Sequence, residues 1–494
     1  MKKFLAIISS VLMLSACADF LGIEPEGTTP ATGLDYSKVE NIFKPVSAAY
    51  ASMRTYGTHD VPYFTMFEIT SDNADKGSTP EDAAPQKEMD EFTYTSTSSI
   101  VGNLWDDYYN VVSAANNAIY QMSQFRADST LRQNNDNLKL VDECEAEAKF
   151  IRAYAYFNLV RCFANIPVID RVMTSDELAA VEQSPKDEVY DFIKNDLEDA
   201  MLGLPATYSK SYAGRATKYT AHALKAKVHL YCAEYDSVAV NAGKVMASGQ
   251  YRLMNNFREV FSVDGENCEE SLFEIQCSDL GKKTGDAPIF EYAYHQGPRS
   301  NKPANMQGWG LCTPSQNLID FYNARGEVIR PATTLLYSGT TTPEGDYISE
   351  KCDNPVYNGK VYTPSSYNDW SYNGYGFDHN VRILRYSDVL LMYAEAVVRG
   401  AAEYAQAGMN AQAAFDWVRD RAGLSPVGLS VDAVIDERRA ELALEEDRFF
   451  DLVRTGKAAA VLGPAGFESG KHEVFPIPEK QRQLNPNLDQ NNGY

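Results

Sequence analysis

The chain has little of what carries covalent chemistry. Only six of its 494 residues are histidine, and none falls in an HxxxH or HxH pattern, so the usual helix- or strand-borne zinc pairs are absent. No CxxC pair occurs, which disfavours zinc and thioredoxin-like chemistry. The phosphate-cradling patterns GxxxxGK[ST] and GxGxxG are missing, as is the GxSxG nucleophile elbow. Basic charge is in deficit: 45 Lys and Arg face 68 Asp and Glu, a net charge of −23. Without a Lys/Arg-rich run, such a surface repels nucleic acid and anionic lipid. Long apolar runs are lacking too. The only one near the start, Phe4 to Leu14, is too short to span a bilayer.

That short run follows Lys2 and Lys3 and ends in Leu14-Ser15-Ala16-Cys17. Small residues before a cysteine at the end of such a run have the form of a lipoprotein signal. Residues 1–16 are expected to be cleaved, leaving Cys17 to carry a diacylglyceryl thioether and an acylated amine, palmitate-class chains that anchor firmly only in combination. Residues 17–33 are polar, with Pro and Thr, and read as a flexible tether. Of eight cysteines, seven remain after Cys17, an odd number, so at least one is unpaired within the chain. Cys268 and Cys277 could bridge a short loop. The chain is not a small disulfide scaffold, however, and buried free thiols are the expectation.

An apolar fraction of 44% is enough for a substantial core. Helical spacing of apolar residues predicts helices over Val39–Arg54, Asn103–Phe125, Leu140–Phe163, Asp187–Leu202, Thr217–Ala233 and Ser237–Ser248. The fifth and sixth carry Ala221, Ala223, Ala226, Ala239 and Ala242 where helices would cross, the way tetratricopeptide-type hairpins pack, although no strict 34-residue repeat is present. Helical order returns at Tyr386–Val397, at Met409–Ala422 with Gly423 as its stop, and from Ser430 as N-cap through Leu442 and Leu444. Their many charges, including Arg385, Asp388, Glu437, Arg438 and Glu441, have the spacing of a solvated face. Acidic doublets such as Asp106-Asp107, Glu269-Glu270 and Glu445-Glu446 are likewise expected in solvent, since adjacent helical residues do not face each other.

Between residues 257 and 380 Gly, Pro, Asn, Ser and Tyr dominate, with one short strand expected at Ser271–Gln276. Loops this long in a compact chain are usually functional. They hold Phe290, Tyr292, Tyr294, His295, Trp309, Tyr357, Tyr362, Tyr367, Trp370, Tyr372, Tyr375 and Phe377. Sugar rings present apolar C–H faces that stack on aromatic planes, while their hydroxyls need Asn, Asp and Arg partners. The candidate contacts are Trp309 between Gly308 and Gly310, together with Trp370, Tyr372, Tyr375, Tyr292 and Tyr294. The competing role for the same rings is to pin coreless loops to the helical body.

RYSDVLLMYAEA, VRDRAGL, ERRAEL and RFFDLVRTGK, in that order between Arg385 and Lys457, resemble the C-terminal signature of the SusD/RagB family of outer-membrane lipoproteins. AKFIRAYAYFNLV, IPVI, ALKAKVHLY and SGQYRLM resemble its N-terminal half, and Val474–Pro478 with Asn485–Tyr494 its ending. One departure is Asp416, where the family more often has Asn. The resemblance implies a mostly α SusD-like fold over 34–494, a helical-hairpin half (34–256) followed by a half (257–494) that holds the loop-rich ligand region 257–380. It turns the charge-rich stretch into partly buried structural ion pairs, and places Asp72 and Asn73 where the family often contributes polar ligand contacts. It implies a non-catalytic, surface-exposed lipoprotein that captures glycan and delivers it to a SusC-like TonB-dependent transporter. The alternatives are a lipid-anchored glycoside hydrolase and a binder of peptide or another nutrient. No cofactor is implied. A structural calcium ion has loop oxygens but no EF-hand spacing to support it.

Overall fold

The computed structural model describes residues 33–277, 291–301, 308–367 and 379–494. Cys17, Trp370, Tyr372 and Tyr375 lie outside the described residues. The frame is helical: α1 (Lys44–Ser52), α2 (Ser99–Ala127), α3 (Asn135–Phe163), α4 (Lys186–Gly203), α5 (Lys218–Tyr231), α6 (Tyr235–Ala247), α7 (Gln316–Arg325), α8 (Tyr386–Val398), α9 (Ala411–Arg421), α10 (Val431–Leu442) and α11 (Arg448–Arg454). From α2 to α6 each helix packs on the next; α6 then packs on α8, and α8 on α9. Chain-adjacent helices forming a curved stack is the hairpin architecture expected from the alanine-rich pair. Ala221, Ala223, Ala226, Ala239 and Ala242 are all buried at these crossings. Gly243 of α6 shows how close the approach is: a Cβ there would stand 2.5 Å from the Tyr404 Cβ.

Local chemistry sets the boundaries. Asn134 caps α3 by accepting from the Asp136 N–H at 2.9 Å. Thr217 and Thr220 form a reciprocal capping box on α5. Ser430 accepts from the Ala433 N–H and opens α10, while Gly423, at φ +73°, closes α9. Two expectations need correction. The first helix is interrupted: a 3-10 turn at Val39–Asn41 precedes α1, because Pro45 has no N–H to continue a helix from upstream and instead fits its first turn. Leu444 is not helical; α10 ends at Leu442, and Leu444 and Glu446 take φ of +63° and +62°.

Among the described residues, four antiparallel two-strand pairs stitch the loops to this frame. The strand β1 (Ala74–Gly77) pairs with β3 (Leu311–Pro314), with Asp75 opposite Thr313 and Gly77 opposite Leu311. The strand β2 (Ser271–Ile275) pairs with β6 (Val381–Arg385), and β4 (Leu335–Tyr337) with β5 (Val356–Asn358); the fourth pair joins Ile166–Pro167 to Gln183–Ser184. One hydrophobic cluster runs from Ala49 to Leu488, so both halves of the chain share a core. All seven described cysteines are free, with Cys144, Cys162, Cys277 and Cys312 buried.

The charges of the last third do not lie on a solvated face. Arg385, at the end of β6, is buried and binds Glu270 at 2.5 Å, Glu441 at 3.0 Å and Glu445 at 2.6 Å. Arg421 of α9 shares Glu270 at 2.8 Å and Glu441 at 2.5 Å. Buried Arg330 joins Glu437 at 2.7 Å to Glu441 at 3.4 Å, and Lys360 meets Glu445 at 2.6 Å. A second knot centres on buried Arg438, with Asp388 at 2.5 Å and Asp451 at 2.8 Å, and extends through Lys227 of α5 to Asp388 at 3.2 Å and Asp447 at 2.7 Å. Burial disfavours the Glu441 carboxylate, but Arg421, Arg385 and Arg330 overcome this and hold its pKa down to about 2. Of the acidic doublets, Glu270 and Glu446 are buried, contrary to the solvated expectation; Glu269 faces solvent, and Asp106, Asp107 and Glu445 are half-buried.

Replacing one member strands its partners. Arg385→Ala is expected to lower the unfolding free energy by about 3–5 kcal/mol, the cost of a buried charge left unpaired. Arg385→Lys retains the charge without the fork and should lose less. Guanidinium chloride unfolding followed by circular dichroism measures both; an Arg385→Ala midpoint equal to wild type would contradict the lattice's role.

Candidate functional site

Trp309 is held from below by main-chain bonds. Its N–H donates to the Tyr294 carbonyl at 3.1 Å, the Gly308 N–H to Pro298 at 2.7 Å and the Gly310 N–H to Gly297 at 2.9 Å. The Ser78 N–H then donates to the Gly310 carbonyl at 2.6 Å, so the β1–β3 pairing locks the strap to the body. Both flanking glycines are required. A Cβ on Gly308 would lie 2.4 Å from the Gly297 oxygen, and Gly310 has φ +65°. The indole is 45% exposed, which is unusual for so large a ring on so fixed a backbone.

Polar groups converge beside it. The His295 ring meets the indole edge-on, with centroids 6.1 Å apart. The Arg299 guanidinium lies 5.9 Å from the indole centroid, within cation–π range. Arg299 is itself fixed by ion pairs to Asp82 and to Asp353, the latter at 3.4 Å, and by a bond to Ser78. His295 stands between Asp60 at 2.8 Å and Glu291 at 3.3 Å. Burial opposes its charged form, yet the Asp60 hydrogen bond and the charges of Asp60 and Glu291 outweigh that and raise its pKa above the ordinary value. On the same side, the Tyr56 phenol keeps 45% of its surface and is pushed up to about 12 by desolvation and by the Asp60 and Glu291 charges. An exposed indole flanked by a fixed guanidinium, an imidazole and carboxylates can stack a ring and hydrogen-bond its substituents. Among the described residues no group of three or more His, Cys, Asp or Glu is placed to hold a metal ion.

The other sequence candidates divide. Tyr294 is half-buried and supplies the carbonyl that seats Trp309. Tyr292, two residues before it in the short helix Tyr292–Gln296, is buried and donates to Glu446 at 2.6 Å, so it faces the core. Asp72 and Asn73 are corrected in the same way. Asp72 accepts from Arg448 at 2.7 Å and lies 3.0 Å from Arg439. Asn73 is buried, donates to Glu68 at 3.1 Å and accepts from Arg439 at 2.9 Å. Both side chains are turned to fixed arginines and anchor the approach to β1. Trp370, Tyr372 and Tyr375 lie outside the described residues. Sequence reasoning did not select Arg299, Glu291, Asp60 or Tyr56. Arg299 had a signal, as the arginine nearest the Gly-Trp-Gly strap in the chain, but Tyr56 and Asp60 are more than 200 positions away.

Two family models match the chain. One, described as starch-binding and associating with the outer membrane, covers residues 19–230; the other, the SusD family, covers 333–494. The chain belongs to the SusD family. The SusD-like protein P2 of Formosa agariphila is 28% identical over 527 aligned positions, spanning 100% of both chains. A solved laminarin-binding SusD-like protein has 27% identity and a TM-score of 0.78, over 92% of this chain and 99% of that one. Surface glycan-binding protein A from Bacteroides thetaiotaomicron, solved in complex with laminarihexaose, has 25% identity and a TM-score of 0.77 over 92% and 99%. This SusD-like chain has the mostly helical fold with few short strands expected of its family.

The His295 ion pair has a defined pH signature. A histidine whose folded pKa is raised stabilises fully below its unfolded value of about 6.5 and loses that contribution as pH rises through the folded value. The stability lost on His295→Gln should therefore be largest near pH 6 and shrink at pH 8 to 9. Chemical unfolding of both proteins at each pH tests this; a loss that does not shrink would contradict the ion pair.

Proposed function

We propose that this SusD-like protein captures oligosaccharide on the Trp309 face and breaks no bond in it. A single observation carries the reading: a half-exposed indole on a strap whose backbone is fixed by four main-chain hydrogen bonds, with Arg299 and His295 fixed beside it. A pyranose lays its C–H face on the indole while its hydroxyls find Arg299, Glu291 and Tyr56. Because ring and guanidinium are already held, little side-chain freedom is lost on binding. Glycan binding by related proteins of similar fold, among them laminarin and laminarihexaose binders, supports the class of ligand. Acylation at Cys17 would hold the protein on the outer membrane, facing outward, above a SusC-like TonB-dependent transporter that receives the captured chain; this follows from family membership and from the sequence around Cys17. Trp370, Tyr372 and Tyr375 remain proposed further contacts.

Calorimetric titration against a panel that includes laminarihexaose tests the site. Trp309→Ala should weaken the bound glycan by about tenfold or more, as for loss of an aromatic anchor, with the melting temperature preserved. Unchanged affinity removes Trp309 from the site. Long incubation of protein with the same glycans should release no reducing ends beyond stoichiometric amounts; sustained release would replace capture with hydrolysis.

A further inference from the structure

Two depressions away from the Trp309 strap share one saddle. The smaller, about 210 Å³, is lined by Tyr50, Met53, Arg54, Phe273 and Gln276. The larger, about 490 Å³, is lined by Tyr208, Lys210, Tyr212, Tyr251 and Asn267. Both include Ala213, Gly214, Arg215 and Phe273, so they form one continuous groove. The saddle is rigid. Arg215 is clamped by buried Glu147 at 3.1 Å through Nε and stacks on Phe43 at 4.3 Å and Tyr208 at 4.4 Å. A Cβ on Gly214, at φ +89°, would stand 2.4 Å from the Gln276 side chain.

Charge is distributed unevenly along this groove. The Arg215 charge is met by Glu147. Glu274, in the smaller depression, already accepts from the Asn267 N–H at 3.0 Å and the Asn380 amide at 2.9 Å. Glu269, at the edge of the larger one, pairs with Arg252. Arg54 is different: its Nε is buried without a hydrogen-bond acceptor, and no carboxylate among the described residues pairs with it. Lys210, exposed at the other end, also has no ion pair among the described residues. A buried guanidinium N–H without an acceptor is costly, and in a chain of net charge −23 carboxylates were abundant enough to supply one. Tyr212, 55% exposed, lines the larger depression with Lys210 and lies 5.5 Å from the Arg215 guanidinium.

We propose that this groove is a second carbohydrate site, for an anionic oligosaccharide. The carboxylate or sulfate of one sugar takes the two terminal nitrogens of the Arg54 guanidinium, a pyranose stacks on Tyr212, and Lys210 meets the next acidic group. A planar guanidinium matches either anion with two parallel N–H bonds. The site goes beyond capture at Trp309, and its test is independent of that reading.

Oligogalacturonate, a sulfated galactose oligosaccharide and neutral laminarihexaose are titrated separately into the full-length chain and its Arg54→Gln, Tyr212→Ala and Trp309→Ala variants. At least one acidic oligosaccharide should bind wild type and Trp309→Ala alike, more weakly as salt rises. Arg54→Gln should weaken it about tenfold to a hundredfold, the range for a charge-assisted hydrogen bond. Tyr212→Ala should weaken it while leaving the melting temperature unchanged, which separates a lost contact from a lost fold. Which acid binds names the group; preference for either supports the site. Binding of neither acid, or equal binding by wild type, Arg54→Gln and Tyr212→Ala, overturns it. Loss of acidic binding in Trp309→Ala would also overturn it, by assigning that ligand to the first site.

Discussion

Everything in this fold leans on the meeting of Arg385 with Glu270, Glu441 and Glu445. The arginine ends one strand, its partners come from the opposite strand and from the end of α10, and Arg421 brings in α9. Taking so many charges out of water is unfavourable in itself, and a hydrophobic replacement of the same volume often does as well. What such a lattice supplies is geometry. Each guanidinium accepts few arrangements of its carboxylates, so elements distant in the chain have one relative placement. The same logic extends outward through Arg439 and Arg448 to Asp72 and thence to β1, whose pairing with β3 positions the strap under Trp309. The frame and the site are thus one mechanical unit, with arginine as the joint.

The helical frame was readable because its signals are local. Periodicity located the long helices within a few residues, as for Asn103–Phe125 against the observed Ser99–Ala127, and Ser430 and Gly423 marked the ends they cap. Charge placement was less legible. Spacing alone cannot distinguish a solvated face from a buried one when an acid finds its partner inside, as Glu270 finds Arg385 and Glu446 the Tyr292 hydroxyl, which is why both were misassigned. Only the order of the motifs, as a family resemblance, suggested otherwise.

The site was legible in part. Gly-Trp-Gly announced a close backbone approach, and the structure places an exposed ring there. Asp72 and Asn73 had the right chemistry for sugar hydroxyls, but the structure turns both to arginines more than 360 positions later. Conversely Asp60 reaches His295 across 235 positions, a contact with no local trace. Loop composition thus gave the class of chemistry and one anchor, while the polar partners depended on tertiary contacts.

The seven free thiols among the described residues bear on how such a chain withstands oxidation. Burial raises the pKa of Cys144 and Cys232 to about 12, and lifts Cys162, Cys277 and Cys312 further still. Since the thiolate is the species that oxidants and disulfides attack, these sulfurs are chemically quiet in the native state. Among the described residues no disulfide has to form for the core to close. The vulnerable interval is the passage before the core closes, and the durability of the protein is a matter of how seldom it reopens.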